Sequence, residues 1–171
     1  KVREMLDLYD RWDVCAPVRK VLVLFDTMWK STEMMAAAIV EGAMAEGGAA
    51  LDVKRFHVRA TTGTRLATEM LDAAAFAAGS PTLNGTLMPA MADVLTYLKG
   101  LRPAHKAGFA FGSYGWGRGG PEEVEQYLQA MKVELLRPVL KLNYKPSEAG
   151  LAECREAGRL LARHALKVCP V

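Results

Sequence analysis

Val21-Leu22-Val23-Leu24-Phe25 runs directly into Asp26-Thr27-Met28-Trp29-Lys30-Ser31-Thr32, and this stretch decides the fold. Five consecutive apolar residues without polar alternation are what a strand buried on both faces requires. Past the turn, Met35, Ala38, Ile39, Gly42 and Ala43 recur at i, i+3, i+4, i+7 and i+8, which marks one buried face of a helix. Gly47-Gly48 ends that helix. A buried strand, a short turn and an amphipathic helix form the unit from which parallel sheets are built.

The unit repeats along the chain. Leu51 to Val58 alternates loosely, as an edge strand does, and 65–73 reads as a weak helix. Ala74-Ala75-Phe76-Ala77-Ala78 is a central strand whose small side chains let helices approach closely. Met91, Val94, Leu95 and Leu98 make a helical stripe closed by Gly100, and Lys106 to Phe111 is the next strand. Pro121 suits a first helical position, Glu122 and Glu123 suit the positive end of the dipole, and Val124, Tyr127, Leu128 and Met131 supply the apolar face. A last strand lies within 133–144, open to interruption at Pro138, and Ser147 caps a final helix that turns Leu151, Cys154, Gly158, Leu161 and Ala165 inward. Five alternations predict an α/β fold: a doubly wound, five-stranded parallel sheet of order 2-1-3-4-5 with helices on both faces and right-handed crossovers.

With 171 residues, 51% hydrophobic and 24% charged, the chain is long enough for one domain with a sizeable core. A net charge of +3 with interspersed signs gives no footprint for nucleic acid. No apolar stretch approaches the roughly 18 residues that span a bilayer, so no membrane partner is expected. The start Lys1-Val2-Arg3-Glu4 lacks an initiator Met and a signal-peptide core, which reads as a cytoplasmic piece of a longer protein. Residues 1–18 read as a connector from an upstream domain and 19–171 as the domain itself. Leu6, Leu8, Tyr9 and Trp12 of the leader need something to pack on, either that neighbour or this domain, and Pro17 stops any helix before the first strand. Cys15, Cys154 and Cys169 fit neither a disulfide framework nor a zinc site, and Cys154 falls on an apolar stripe as a small core residue.

Three loops carry the chemistry. They are Thr27 to Thr32, Gly79-Ser80-Pro81-Thr82-Leu83-Asn84-Gly85, and Gly112-Ser113-Tyr114-Gly115-Trp116-Gly117-Arg118-Gly119-Gly120. In a 2-1-3-4-5 sheet the chain reverses between strands 1 and 3, and ligands bind beyond their carboxyl ends. Those are the ends where the three elaborate loops meet, whereas the loops around Arg59-Ala60-Thr61-Thr62-Gly63 and Lys145-Pro146 are plainer. Ser31 and Thr32 open a helix whose free N–H groups attract an anion, and Thr27 adds a hydroxyl; as a plain Ser/Thr cap the same residues would bind nothing. Pro81, Thr82, Leu83, Asn84 and Gly85 can bring amides to the polar edge of a flat heterocycle, or form a simple turn. Ser113, Tyr114, Gly115, Trp116, Gly117 and Gly119 combine rings with glycines, so that aromatics cover a planar ligand while the backbone approaches its edge. A phosphorylated aromatic ligand fits this mixture, and flavin mononucleotide (FMN) is the candidate. No Walker spacing or GxGxxG follows strand 1, and no phosphorylatable Asp cluster follows strand 3, which argues against an NTPase, a dinucleotide fold and a receiver domain.

The set Asp26-Thr27-Met28-Trp29…Ser31-Thr32, Gly79-Ser80-Pro81-Thr82-Leu83-Asn84 and Gly112-Ser113-Tyr114-Gly115-Trp116-Gly117 closely resembles the C-terminal flavodoxin-like domain of flavodiiron proteins, the A-type flavoproteins. The resemblance spans nearly the whole chain from about Val18. It implies FMN with its phosphate at Thr27, Met28, Trp29, Lys30, Ser31 and Thr32, and its ring between the second and third loops. It also implies a diiron, metallo-beta-lactamase-like domain in the parent protein, on the opposite subunit of a head-to-tail dimer. The donor would be rubredoxin or a reductase, and the parent reaction the reduction of dioxygen or nitric oxide. Lys30 and Arg118 depart from the small or uncharged residues expected there, and both are read as solvent-facing.

His57, His105 and His164 lie in unrelated segments, without ligand spacing, and read as solvated or loosely packed side chains. No metal ligands and no catalytic residue are assigned, so the expected role is electron transfer, with no oxygen or nitric oxide turnover by the chain alone. A stand-alone quinone or flavin reductase, or a flavin-free assembly module, would use the same fold.

Overall fold

A computed structural model describes residues 2–169 and places β1 (Val18–Phe25) in the interior of a parallel sheet. Around it run α1 (Val2–Asp13), α2 (Ser31–Gly47), β2 (Asp52–His57), α3 (Gly63–Leu71), β3 (Ala73–Gly79), α4 (Pro89–Leu101), β4 (Ala107–Tyr114), α5 (Gly120–Ala130), β5 (Glu134–Leu135), β6 (Leu140–Asn143) and α6 (Glu148–Val168). The sheet order is β2-β1-β3-β4-β5, with β6 also on β4 and every pair parallel. Two short strands fill the position expected for one. β5 pairs with Ala107 and Gly108, and β6 pairs with Phe111 to Tyr114, farther along β4. Pro138 lies between them and has no N–H to give a ladder.

The alternation of β1 divides the core. Val21, Val23 and Phe25 face one side with Met35, Ile39, Phe109, Phe111, Cys154 and Leu161. Leu22 and Leu24 face the other with Leu66, Phe76, Met91, Leu95, Val124 and Leu128. Helices α2 and α6 therefore cover the first face, and α3, α4 and α5 the second. The α2–α6 crossing is unusually close. A Cβ on Gly42 would stand 1.9 Å from the Arg155 carbonyl oxygen, and one on Gly158 would stand 1.9 Å from that of Ile39.

Several boundaries move relative to the sequence reading. Helix α4 does not close at Gly100; it runs to Leu101, and Arg102 ends it at φ 51°. Strand β4 continues to Tyr114, so Ser113 and Tyr114 sit on a strand end. Thr62 caps α3, whose start precedes the expected 65. In the leader, α1 buries none of its residues: Val2, Met5, Leu6 and Tyr9 are exposed, and Leu8 and Trp12 are half-covered. No helix of the described residues is long and apolar enough to cross a membrane.

Candidate functional site

Strand β1 ends at Phe25, and the chain reaches α2 through 26–30. Lys30 adopts φ 67° at the N-cap of α2, and no side chain caps this helix. The Ser/Thr pair is thus not an ordinary cap. Instead Thr32 is fully buried and its Oγ1 lies 3.0 Å from Ser113 Oγ, tying the start of α2 to the end of β4. The first-turn N–H groups and the macrodipole remain available to an anion.

The second loop is a tight turn. Leu83 and Thr86 exchange backbone hydrogen bonds of 2.9 and 3.0 Å, with Asn84 at φ 52° and Gly85 at φ 80° between them. Positive φ at both central residues is the type I′ requirement, which Asn-Gly meets best. Gly119, at φ 135°, lies against this turn, where a Cβ would come within 2.0 Å of the Gly85 carbonyl oxygen. Gly120 donates its N–H to Thr82 Oγ1 at 3.1 Å. The second and third loops are thereby fastened together.

Above these ties the three loops enclose one cavity of about 790 Å³. Met28, Trp29, Lys30 and Ser31 line it from the first loop, Pro81, Thr82, Leu83, Asn84 and Gly85 from the second, and Ser113, Tyr114, Gly115, Trp116 and Gly117 from the third. Trp29 and Trp116 are 83% and 95% exposed, so their rings contribute almost nothing to the core. Three residues of the sequence reading do not line the cavity: Thr27, Thr32 and Gly119. Thr32 is committed to Ser113 and Gly119 to the turn beside it, both beneath the wall. Thr27 Oγ1 is buried without a hydrogen-bond partner, a hydroxyl donor left open beside the uncapped helix.

Sequence reasoning missed Met34, Tyr144 and Lys145, which also line the cavity. The loop after the last strand looked plain, yet Tyr144, at φ 53°, donates its N–H to Tyr114 O at 2.7 Å, and Asn143 Nδ2 donates to Gly115 O at 2.8 Å. A one-register continuation of β6 beside Tyr114 is invisible to composition. Arg118 is exposed, as its solvent-facing reading expected, and its guanidinium also lies 5.3 Å over the Tyr114 ring. Lys30 is exposed on the cavity rim. His57 is not loosely packed; it stacks on Phe25 at 5.1 Å and 15°.

Residues 23–158 match the flavodoxin family. The chain belongs to that family. Among relatives, the flavodoxin-like domain is 38% identical over 159 residues to a nitric oxide reductase of Moorella thermoacetica, covering 92% of this chain and 39% of that protein. It superposes on the rubredoxin oxygen:oxidoreductase of Desulfovibrio gigas with a TM-score of 0.88 at 32% identity, over 95% of this chain and 40% of the other. The flavodiiron protein of Giardia intestinalis gives 0.85 at 31%, over 94% and 40%. The domain thus spans about 40% of the length of these relatives. The expected cofactor, FMN, is that of the family. An uncapped helix start, an open Thr27 hydroxyl and a cavity walled by aromatic rings and loop amides fit a phosphate-bearing planar ligand.

Among the described residues, no three side chains of His, Cys, Asp or Glu gather as a metal site. Cys154 is a core residue, its thiol pushed up to about 12 by burial, which makes it inert.

Proposed function

We propose that this domain holds FMN in the three-loop cavity and relays electrons from a redox donor to a diiron centre on another domain, where dioxygen or nitric oxide is reduced. The observation that carries this reading is the convergence of Trp29, Tyr114 and Trp116 on one cavity beside an uncapped helix start. Ser31 and the first N–H groups of α2 would hold the phosphate, with the buried Thr27 hydroxyl behind them. The backbone of Thr82 to Gly85 would meet the polar edge of the ring system, and the three aromatic side chains would cover its faces. FMN, when bound, accepts two electrons and can release them singly. The loop aromatics would shield the ring faces and orient them, and the exposure of Trp29 and Trp116 would leave the ligand edge close to solvent and to partners.

Rubredoxin or a flavin reductase fits as donor, and a metallo-beta-lactamase-like diiron domain as acceptor. Residues 1–18 fit a connector to such a domain, since α1 leaves its apolar residues uncovered here. A cytoplasmic site suits this chemistry. The test is a titration of flavin-free protein with FMN followed by visible absorbance, then rapid mixing of the loaded domain with reduced rubredoxin. Binding and bleaching are expected without sustained oxygen consumption. A domain that binds no FMN, or that consumes oxygen well above free FMN, would refute the reading.

A further inference from the structure

Asp26 is the first residue of the turn and is fully buried. Its Oδ1 accepts the Thr27 N–H at 2.8 Å and faces Arg59 Nε at 2.8 Å and His57 Nε2 at 3.4 Å. Arg59 reaches it from the turn after β2, because the parallel register sets Phe25 beside His57. The Arg59 side chain is itself 46% exposed. Among the described residues, three of the four buried polar side-chain atoms without a hydrogen-bond partner are here: Asp26 Oδ2, Thr27 Oγ1 and His57 Nε2. Such a concentration of open polar groups beside the turn calls for a physical explanation.

A buried carboxylate directly before an anion-receiving turn is a liability twice over. It is costly to bury unpaired, and it repels a phosphate nearby. Arg59 answers both, since its charge cancels that of Asp26 while Asp26 fixes the Thr27 amide and so the direction in which the turn departs. Resting on the FMN reading above, we infer that Asp26 and Arg59 form a positioning pair that sets the preference of this site for phosphorylated over unphosphorylated flavin. Asp26 shapes the turn, and Arg59 keeps that turn electrostatically open to a phosphomonoester.

The test compares FMN with riboflavin, which lacks only the phosphate. Affinities of both are measured by flavin fluorescence for the wild type, Arg59→Met, Arg59→Lys, Asp26→Asn and the double variant Asp26→Asn/Arg59→Met, with folding followed by circular dichroism. Arg59→Met leaves the carboxylate uncancelled and is expected to weaken FMN about 10-fold or more, with riboflavin changed by less than about 3-fold. Arg59→Lys retains a charge and should hold FMN within about 3-fold. The decisive arm is the double variant: removing the stranded carboxylate should restore most of the FMN affinity. Equal losses for both flavins, or no rescue by Asp26→Asn, would overturn the pair's role and reduce it to a structural ion pair. If Arg59→Met fails to fold, Asp26→Asn alone decides: it keeps an amide oxygen for the Thr27 N–H and leaves the Arg59 charge uncancelled, so FMN should tighten several-fold relative to riboflavin; an unchanged preference or a loss of FMN affinity overturns the inference. A wild type that binds neither flavin sinks the cofactor reading itself and the inference with it. A wild type that binds both without preference sinks the inference alone.

Discussion

Replacing Gly158 by Ala sets two known effects against each other. Alanine in place of glycine inside a helix is worth about 0.8–1.0 kcal/mol in favour of folding. Here the new Cβ would lie 1.9 Å from the Ile39 carbonyl oxygen, 2.8 Å from its carbon and 2.9 Å from the Ala43 nitrogen. All three obstacles are backbone of α2, so no side chain can swing aside, and the helices must part until the contact approaches 3.4 Å. Overpacking of a tight core costs about 1–3 kcal/mol and more where the backbone has to move. The clash wins, with an expected net loss of about 1–2 kcal/mol, or roughly 2–8 °C in Tm for a chain of this size. Gly100→Ala is the control, because nothing lies within 4 Å of a Cβ there and α4 is at its last turn. It should stabilise by a few tenths to about 0.8 kcal/mol. Urea denaturation of both variants reads the difference. If Gly158→Ala moves in the same direction as Gly100→Ala, the close α2–α6 crossing is wrong.

Thr32→Val should destabilise by about 1–3 kcal/mol by leaving Ser113 Oγ buried and unpaired, and adding Ser113→Ala should recover much of that loss in a double-mutant cycle. Trp116→Ala should leave folding within about 0.5 kcal/mol, since the side chain is 95% exposed, yet lower FMN affinity roughly 5- to 30-fold by titration. Burial holds the Lys106 ammonium down to about 8 from 10.5, so the unfolded chain binds more protons between those values, and the stability linked to this group rises as pH climbs from about 8 to 10.5. Lys106→Met should therefore be the more stable protein at pH 7, by about 1–2 kcal/mol after losing the bond to Leu71 O, with an advantage that shrinks through that window; a difference constant in pH would contradict the burial argument.

The fold was legible because each central strand is an unbroken apolar run, and a run buried on both faces admits few architectures. The helix faces were legible for the same reason, and Met35, Ala38, Ile39, Gly42 and Ala43 are all buried. What escaped was set by pairing and not by composition. Ser113 and Tyr114 continue β4 because β6 runs beside them as far as Asn143, a partner more than 25 residues away. Gly100 is permissive as a helix end but not obligatory, and Arg102 took the left-handed position instead. Within the site, the residues that form the wall announced themselves as aromatics and glycines. Those beneath it, Thr32 and Gly119, carry the same letters but look inward, and sequence alone cannot tell a hydroxyl aimed at a ligand from one aimed at another hydroxyl. Tyr144 and Lys145 reach the cavity only through the last turn of a strand broken by Pro138.

The inward-looking residues also explain why the cavity exists before any ligand enters. Thr32 ties the first loop to the third through Ser113, Gly119 and Gly120 tie the third to the second through Gly85 and Thr82, and Asn143 and Tyr144 brace the third from outside. Each tie joins segments distant in sequence, so their ordering entropy is lost when the domain folds and not again on binding. Trp29 and Trp116 stand outside this scaffold, with little to lose from the core if they are changed. Stability and ligand affinity should accordingly separate by depth. Thr32→Val must lower both, because it loosens the scaffold, whereas Trp116→Ala must lower affinity alone. A Thr32→Val protein that unfolds earlier yet binds FMN as tightly as the wild type would mean that the loops are organised by the ligand and not by the ties beneath it.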